Sequence, residues 1–251
     1  MKALIFAVLC LCAWTTRAAE PISIAAGESL KPYEELLTRI ISRAGFELNF
    51  VTLPQARLIK ELEAGRHDGG FLLSDFAIDE IPGMVRIPVS LGNGQQAAVA
   101  IRADIHVKTV ADLARYRVGF ERGNKSQEVL LPHLDKYYAT NNSQSLFAML
   151  AAGRLDLVIA PPARVPGYAR EAGISQYYIQ QPPVVSFPLY LTLTARAASQ
   201  EPRLTRVFRA SVSSGEWPRE YAAVQARIAQ AAGAVLAPVP SAPGNTLSAP
   251  R

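Results

Sequence analysis

The chain has 251 residues, with 26 basic and 21 acidic side chains and a formal net charge of +5. No dense run of lysine and arginine with interleaved aromatic residues occurs, so nucleic acid is not expected as a partner. Both cysteines, Cys10 and Cys12, lie near the N-terminus. If that segment is removed, the mature chain has no disulfide, no thiol nucleophile and no cysteine ligand for a metal.

Residues 1–18 have the pattern of a secretory signal peptide. Lys2 supplies the positive start, and residues 3–14 form an apolar run too short to span a bilayer. Small residues at Thr16 and Ala18 suit cleavage after Ala18. The alternative is a signal anchor. We expect export to the periplasm and, because no later run reaches 18 apolar residues, no transmembrane helix.

The first half of the chain alternates between strand and helix patterns. Strands are predicted at 22–26, 47–53, 69–74 and 85–91, with helices at 32–44 and from Pro54 onward, and a turn-rich link at 75–83. Pro54 suits the first turn of a helix, where its missing N–H costs nothing. Alternation with short links predicts a mostly parallel sheet flanked by helices.

The second half repeats this alternation after a crossing segment. Gly92-Asn93-Gly94 is interpreted as a break, and residues 95–102 as the first crossing. The remaining predictions are a short helix from Thr109, a strand at 117–120, helices at 164–172, 204–212 and 217–231, and a return crossing at 187–195. The last residues are rich in Ala, Pro and Ser, and 239–251 are expected to be a disordered tail.

A seven-residue sequence motif occurs twice in this pattern. Residues 62–68 and 150–156 both follow L-x-A-G-R-x-D, and each follows a helical pattern and precedes an apolar run. The glycine is expected to end the helix with a positive φ, with Arg66 and Arg154 as helix-end charges. We interpret the two aspartates, Asp68 and Asp156, as structural.

Two copies in register predict two related α/β lobes. Lobe one is expected to comprise residues 19–94 and 196–238, and lobe two residues 103–186. The two segments between them, 95–102 and 187–195, are the expected hinge crossings.

The order of these motifs resembles the type 2 periplasmic solute-binding proteins, specifically extracellular solute-binding protein family 3. The resemblance covers residues 20–225. It rests on the twin Gly-Arg-x-Asp units, on residues 109–124 (TVADLARYRVGFERGN) and on residues 214–222 (SGEWPREYA), with Leu-Pro-x-x-Arg at 53–57. It implies a two-lobed α/β fold joined by two hinge strands, a ligand cleft between the lobes that closes on binding, no cofactor, and delivery of the solute to an ABC importer.

The sequence departs from that family at the ligand clamp. Members that bind α-amino acids use an arginine shortly after the third strand and an aspartate after the repeat strand of lobe two. Here residues 74–80 contain no arginine, and Pro161-Pro162 stand at the second place. An ordinary α-amino acid is therefore not expected. The solute is predicted to be small and polar, and an anion is one candidate for it.

Two segments are candidates for anion binding. Gly123, Asn124, Lys125 and Ser126 combine backbone N–H groups, a helix N-terminus and an ammonium group, although they also suit a plain helix-capping turn. Arg57 suits either an anion clamp or an ion pair with Glu61 one helical turn later.

Further polar side chains at strand ends are expected to face the cleft: Glu28, Tyr33, Ser74, Asp75, Ser90 and Asn93. Each has a structural alternative, namely turn capping for the short polar residues and ordinary partial burial for Tyr33. His67, His106 and His133 lack the spacing of metal ligands, so no metal site is expected.

Three functions remain open at this point. The first is a monomeric, non-catalytic binding protein whose partners are a small-molecule solute and an ABC transporter permease. The second is a dehydratase-like enzyme of the same fold, with Glu28 or Asp75 as the acid. The third is a sensor that presents its closed state to another protein.

Overall fold

A computed structural model describes residues 19–231 and the pair 247–248. The predicted signal peptide lies outside the described residues, as does the predicted tail apart from that pair. Among the helices described, none combines the length and apolarity that crossing a bilayer requires.

The described residues form strands and helices in alternation. The strands are β1 (Glu20–Gly27), β2 (Phe46–Leu53), β3 (Gly69–Ser74), β4 (Val85–Arg86), β5 (Gly92–Ala100), β6 (Arg117–Glu121), β7 (Lys136–Thr140), β8 (Leu157–Ala160), β9 (Tyr178–Ile179), β10 (Val185–Leu193) and β11 (Leu247–Ser248). The α-helices are α1 (Glu34–Ser42), α2 (Gln55–Glu63), α3 (Asp75–Ile78), α4 (Lys125–Glu128), α5 (Ser143–Ala151), α6 (Val165–Glu171), α7 (Glu201–Ser213) and α8 (Glu216–Ala231). Short 3₁₀ helices occupy Glu28–Tyr33, Val110–Arg115, Leu131–His133, Pro162–Arg164 and Ala195–Gln200.

The main strands follow the order β2-β1-β3-β10-β5-β8-β6-β7. On one side β1 is parallel to β2 and β3, and on the other β6 is parallel to β7 and β8. Between these blocks, β10 and β5 are antiparallel to each other, β10 also pairs with β3, and β5 also pairs with β8. The two-lobed α/β fold predicted from sequence is confirmed, with lobe one built on β1–β3 and lobe two on β6–β8.

Each lobe has its own apolar core on both faces of its sheet. In lobe one, helix α1 buries one apolar face, formed by Leu36, Leu37, Ile40 and Ile41. The C-terminal helix α8 closes this core through Trp217, whose ring stands edge-on to Phe71 and whose indole N–H donates to the Leu91 carbonyl at 2.6 Å.

The glycines of the repeated motif end their helices as predicted. Gly65 follows α2 with φ of 61°, and Gly153 follows α5 with φ of 68°. A residue with a Cβ is strained in this left-handed region, so glycine stops each helix at low cost.

The repeated aspartates bind the first strand of their own lobe. In lobe one the Asp68 carboxylate accepts the backbone N–H of Ser23 at 2.8 Å, and the Asp68 N–H donates to the Ser23 carbonyl at 2.8 Å. In lobe two Asp156 makes the same two bonds with Arg117, at 2.9 and 3.0 Å. The repeat therefore fixes the entry of β3 beside β1 and of β8 beside β6.

Three sequence predictions differ from the structure. Gly92-Asn93-Gly94 do not break the chain; they begin β5, where Gly94 lies opposite Phe187 of β10. A Cβ on Gly94 would lie 2.1 Å from a ring carbon of Phe187, so this position needs glycine to make room for the ring. The predicted strand at 85–91 shortens to β4, since Pro88 has no N–H to continue a ladder. The link at 75–83 contains α3.

Replacing the lobe-two aspartate tests this architecture. Asp156→Ala leaves the Arg117 backbone N–H without its acceptor, and we expect a loss of about 1–3 kcal/mol in the free energy of unfolding at pH 7. Arg117 holds the pKa of Asp156 below its usual range. The stability due to Asp156 is therefore present at neutral pH and is lost as the pH falls below about 4.

Urea unfolding at pH 7 and pH 3 measures both effects. Asp135→Ala is the matched control, because Asp135 is exposed in the same lobe. An equal deficit for Asp156→Ala at both pH values would contradict the ionic part of this interaction.

Candidate functional site

The carboxyl ends of the parallel strands in the two lobes face each other. In lobe one, β1 leads into the 3₁₀ helix Glu28–Tyr33 and β3 into α3. In lobe two, β6 leads toward α4 and β8 into the 3₁₀ helix Pro162–Arg164. Ligands of open α/β sheets bind at this edge, so the space between these four segments is the candidate site.

Several contacts join the lobes, and three of them lie around this space. The Arg164 guanidinium donates to the Ser29 carbonyl, and the Lys125 ammonium lies 2.5 Å from the Glu80 carboxylate. A Cβ on Gly123 would lie 2.8 Å from the Ala56 Cα, so the two backbones approach closely there. The lobes therefore stand in a closed arrangement.

The cations predicted to clamp an anion are both paired within the protein. Arg57 Nε lies 2.7 Å from Glu61, which also meets His67 Nε2 at 2.9 Å. Lys125 binds Glu80 at 2.5 Å and Glu128 at 3.0 Å, and the bond from Glu80 is the main cause that raises its pKa above the ordinary value. An anionic solute would have to compete with these carboxylates, and the clamp roles stay predictions.

The loop at 123–126 binds mainly to itself and to its neighbours. The Gly123 N–H donates to the Glu128 carboxylate at 2.7 Å, and the Ser126 hydroxyl donates to the Asn124 side-chain oxygen at 2.8 Å. Ser126 is buried and accepts Gln96 Nε2 at 3.0 Å. These bonds hold the turn together and define the shape of the lobe-two edge.

A pair of buried glutamines connects this loop to a crossing strand. Gln127 Nε2 donates to Gln96 Oε1 at 3.0 Å, and Gln127 Oε1 accepts the Glu121 N–H at 2.7 Å. Both side chains are almost fully buried. The sequence analysis did not select Gln96. It could have been found as a polar residue inside the apolar crossing 95–102.

At the end of β3 the fold supplies an arginine that sequence spacing did not reveal. Asp75 is buried and accepts Arg86 Nη1 at 2.6 Å, while the Arg86 guanidinium stacks over Tyr190 at 5.1 Å from the ring centroid. Ser74, also buried, precedes Asp75 at the start of α3. Asp75 is therefore already paired with Arg86, and a solute at this position would contact the ion pair rather than a free carboxylate.

The other predicted residues occupy different environments. Glu28 is exposed at the start of its 3₁₀ helix, and Asn93 is exposed on β5. Ser90 is exposed and donates to the Gly92 carbonyl at 3.2 Å. None of these three lies in an apolar core, so each remains accessible to a partner or solute.

Tyr33 lies inside lobe one, with 1% of its surface exposed. Its ring stacks on Tyr221 of α8 with the centroids 5.2 Å apart. Its hydroxyl has no hydrogen-bond partner within residues 19–231. Burial raises the pKa of Tyr33 well above its usual range, Tyr221 adds to this, and the Arg164 charge opposes it.

Lobe two contributes a second group of polar side chains that sequence analysis did not single out. Glu121 ends β6 and accepts the Ser143 hydroxyl at 3.0 Å. Burial raises the pKa of Glu121, Ser143 opposes the rise, and Glu28 of lobe one adds to it. Burial also raises the pKa of Tyr168. Its place in the sequence could have identified Glu121 as a candidate, because it directly follows the strand predicted at 117–120.

The chemistry of this site is that of polar recognition. Within the described ranges 19–231 and 247–248, no group of three His, Cys, Asp or Glu side chains could hold a metal ion. The polar groups at this edge are the carboxylates of Glu28, Asp75 and Glu121, the guanidinium groups of Arg86 and Arg164, and the buried side chains of Gln96, Ser126 and Gln127.

No family model and no curated protein sequence matches the chain. Solved structures do match its fold. An amino acid ABC transporter substrate-binding protein from Streptococcus pneumoniae, bound to L-arginine, is 13% identical with a TM-score of 0.66, covering 84% of this chain and 95% of that one. A histidine kinase sensor domain with similarity to periplasmic binding proteins is 17% identical with a TM-score of 0.69, covering 84% and 96%.

A third structure is an ancestral amino acid-binding protein described as a precursor of cyclohexadienyl dehydratase. It is 14% identical with a TM-score of 0.62 and covers 80% of this chain and 93% of that one. At these identities the similarity establishes the fold, which is the two-lobed fold of the type 2 periplasmic binding proteins.

Removing the unpartnered hydroxyl tests the environment of Tyr33. Tyr33→Phe keeps the ring on Tyr221 and removes a buried polar atom that has no partner. We expect the free energy of unfolding of the ligand-free protein to rise by about 1 kcal/mol in urea titrations. The control is Tyr178→Phe, which removes a hydroxyl on an exposed hydrogen bond to Gln176 and should change stability little. Destabilisation by Tyr33→Phe would show that the hydroxyl is satisfied.

Proposed function

We propose that this protein is a non-catalytic, periplasmic solute-binding protein that captures a small polar solute between its lobes and delivers it to an ABC importer. The observation that carries the proposal is the meeting of strand carboxyl ends from both lobes, with polar side chains on each side and two crossing strands as a hinge. A solute that contacts both lobes stabilises the closed arrangement over the open one.

The similarity in fold supports this proposal in a general way. Among the solved structures of this fold, one is a substrate-binding protein of an amino acid ABC transporter. The precursor of cyclohexadienyl dehydratase is itself described as an amino acid-binding protein, which favours binding over turnover. The monomeric state and the permease partner belong to the same proposal.

A sensor is the second candidate function. It is favoured by the match to a histidine kinase sensor domain, whose TM-score is 0.69. Both functions use solute-dependent closure, and they differ in the protein that receives the closed form. Co-purification with a permease, or with a kinase, separates them.

A thermal-shift screen tests the common part of the proposal. Residues 19–251 would be screened against amino acids, organic acids, polyamines, sugars and phosphonates. A solute at 100 times its Kd stabilises the folded state by about 2.7 kcal/mol, which raises the melting temperature. The solute should be recovered unchanged, because conversion to a product would establish an enzyme. A screen without any stabilising compound would contradict solute binding.

Blocking closure gives a sharper prediction. Gly123→Ala adds a Cβ that would lie 2.8 Å from the Ala56 Cα of the opposite lobe, so the closed arrangement should be disfavoured. We expect weaker binding of the solute found in the screen, measured by calorimetry, and a larger radius of gyration with solute present, measured by X-ray scattering.

Gly153→Ala is the matched control for this change. Gly123 and Gly153 both have positive φ, at 80° and 68°, but a Cβ on Gly153 meets nothing within 4 Å. Both variants carry a backbone strain of about 1–2 kcal/mol, and only Gly123→Ala should impair closure. Equal solute affinity in the two variants would contradict the role of this contact.

A further inference from the structure

Arg164 lies at the edge of lobe two that faces lobe one. Strand β8 ends at Ala160, Pro161 continues in an extended conformation, and the turn Pro162–Arg164 then leads into α6. The guanidinium reaches across to the Ser29 carbonyl of lobe one. The turn therefore presents a fixed positive charge between the lobes.

Arg164 differs from Arg57, Arg86 and Arg117 in having no carboxylate partner within the described residues. Arg57, Arg86 and Arg117 lie 2.7, 2.6 and 2.9 Å from carboxylates. Within residues 19–231, Arg164 is half-buried and has no carboxylate partner; its side chain donates to a neutral backbone carbonyl. Partial burial of an uncompensated charge is costly, so an anion that enters the site gains a favourable interaction.

A guanidinium has five N–H donors, and the bond to Ser29 uses one of them. The remaining donors suit a carboxylate, which planar guanidinium groups bind through two parallel hydrogen bonds. The geometry of the donor set thus favours a carboxylate over a spherical anion.

Tyr33 provides an independent observation on the lobe-one side. Its hydroxyl is buried and has no hydrogen-bond partner within residues 19–231. Tyr33 belongs to the same 3₁₀ helix as Ser29, the residue that Arg164 contacts. A carboxylate held by the guanidinium would lie beside this 3₁₀ helix, and closure around it would give the hydroxyl an acceptor.

We propose that Arg164 and Tyr33 form a carboxylate-binding subsite between the lobes, so that the captured solute is a small organic acid. This inference rests on the proposed solute-binding function. It moves the anion contact from the predicted Arg57 and Lys125, whose charges are already paired, to a cation that faces lobe one without a carboxylate partner.

A hydrogen-bond acceptor is available at the end of β6, in the same lobe as Arg164. The Glu121 carboxyl of lobe two, held by Ser143, suits a hydrogen-bond donor on the same solute. The solute is therefore expected to carry a carboxylate together with a hydroxyl, amide or amine.

Matched probes test the subsite directly. We would measure by calorimetry the affinities of lactate, succinate and glutarate, of lactamide, succinamide and glutaramide, and of the diamine putrescine. Wild-type protein should bind at least one carboxylate more tightly than its amide. Arg164→Ala should reduce that affinity by roughly 10- to 100-fold, and Tyr33→Phe by about 5-fold.

The ratio of carboxylate to amide affinity separates recognition from closure. If Arg164 only tethers the lobes through Ser29, then Arg164→Ala weakens carboxylate and amide alike and the ratio is unchanged, which overturns the proposal. If Arg164 binds the carboxylate, the ratio falls toward one. Arg164→Lys keeps the charge and should retain an intermediate preference, which protects the test against a misfolded alanine variant. Arg154→Ala, at an exposed position of the same lobe, should leave every affinity unchanged.

Failure of the inference differs from failure of the proposed function. Binding of putrescine, or of sugars from the wider screen, with no carboxylate bound overturns the subsite and leaves solute binding intact. Absence of binding by every compound overturns both.

Discussion

The repeated aspartate is the interaction on which the two lobes depend. Asp68 and Asp156 each bind the backbone of the first strand of their lobe through both the carboxylate and their own N–H. Each bond pair sets the register in which a repeat strand enters beside the first strand. That register determines which residues emerge at the carboxyl ends, and the cleft is built from those residues. Charged partners secure the arrangement, Arg196 for Asp68 and Arg117 for Asp156.

The fold could be predicted from sequence because its determinants are local. A helical pattern, a glycine that accepts positive φ, an aspartate and an apolar run occur within a few residues, and they occur twice. Errors arose where a distant residue decided the outcome. Gly94 was interpreted as a break because its role, making room for the Phe187 ring, involves another strand. Pro88, by contrast, carried a local signal against a continuous strand that went unused.

The site was harder to predict because its ion pairs join residues distant in the chain. Lys125 pairs with Glu80 across the lobes, and Asp75 with Arg86 across a link. Spacing identified Lys125 and Asp75 as polar residues at strand ends, but it gave no information on which charges neutralise each other. Arg57 with Glu61 was the exception, since one helical turn separates them and the pair was named as an alternative. Charge compensation, more than position, decides which groups remain available to a solute.

The strength of the interlobe contacts sets how much binding free energy a solute must supply to close the lobes. The Lys125–Glu80 pair is partly exposed, with 52% of the Glu80 side chain accessible, so it contributes about 0–1 kcal/mol to closure. Moving a two-state equilibrium from 1:99 to 99:1 requires about 5.5 kcal/mol of differential binding. This ion pair alone is therefore too weak to determine the state of the cleft, and the Arg164–Ser29 bond and the close packing at Gly123 act beside it. A solute that contacts both lobes, and compensates a charge such as that of Arg164, can supply the larger share. Under the proposed function, a weak ion pair and a cation without a carboxylate partner would make closure responsive to the solute.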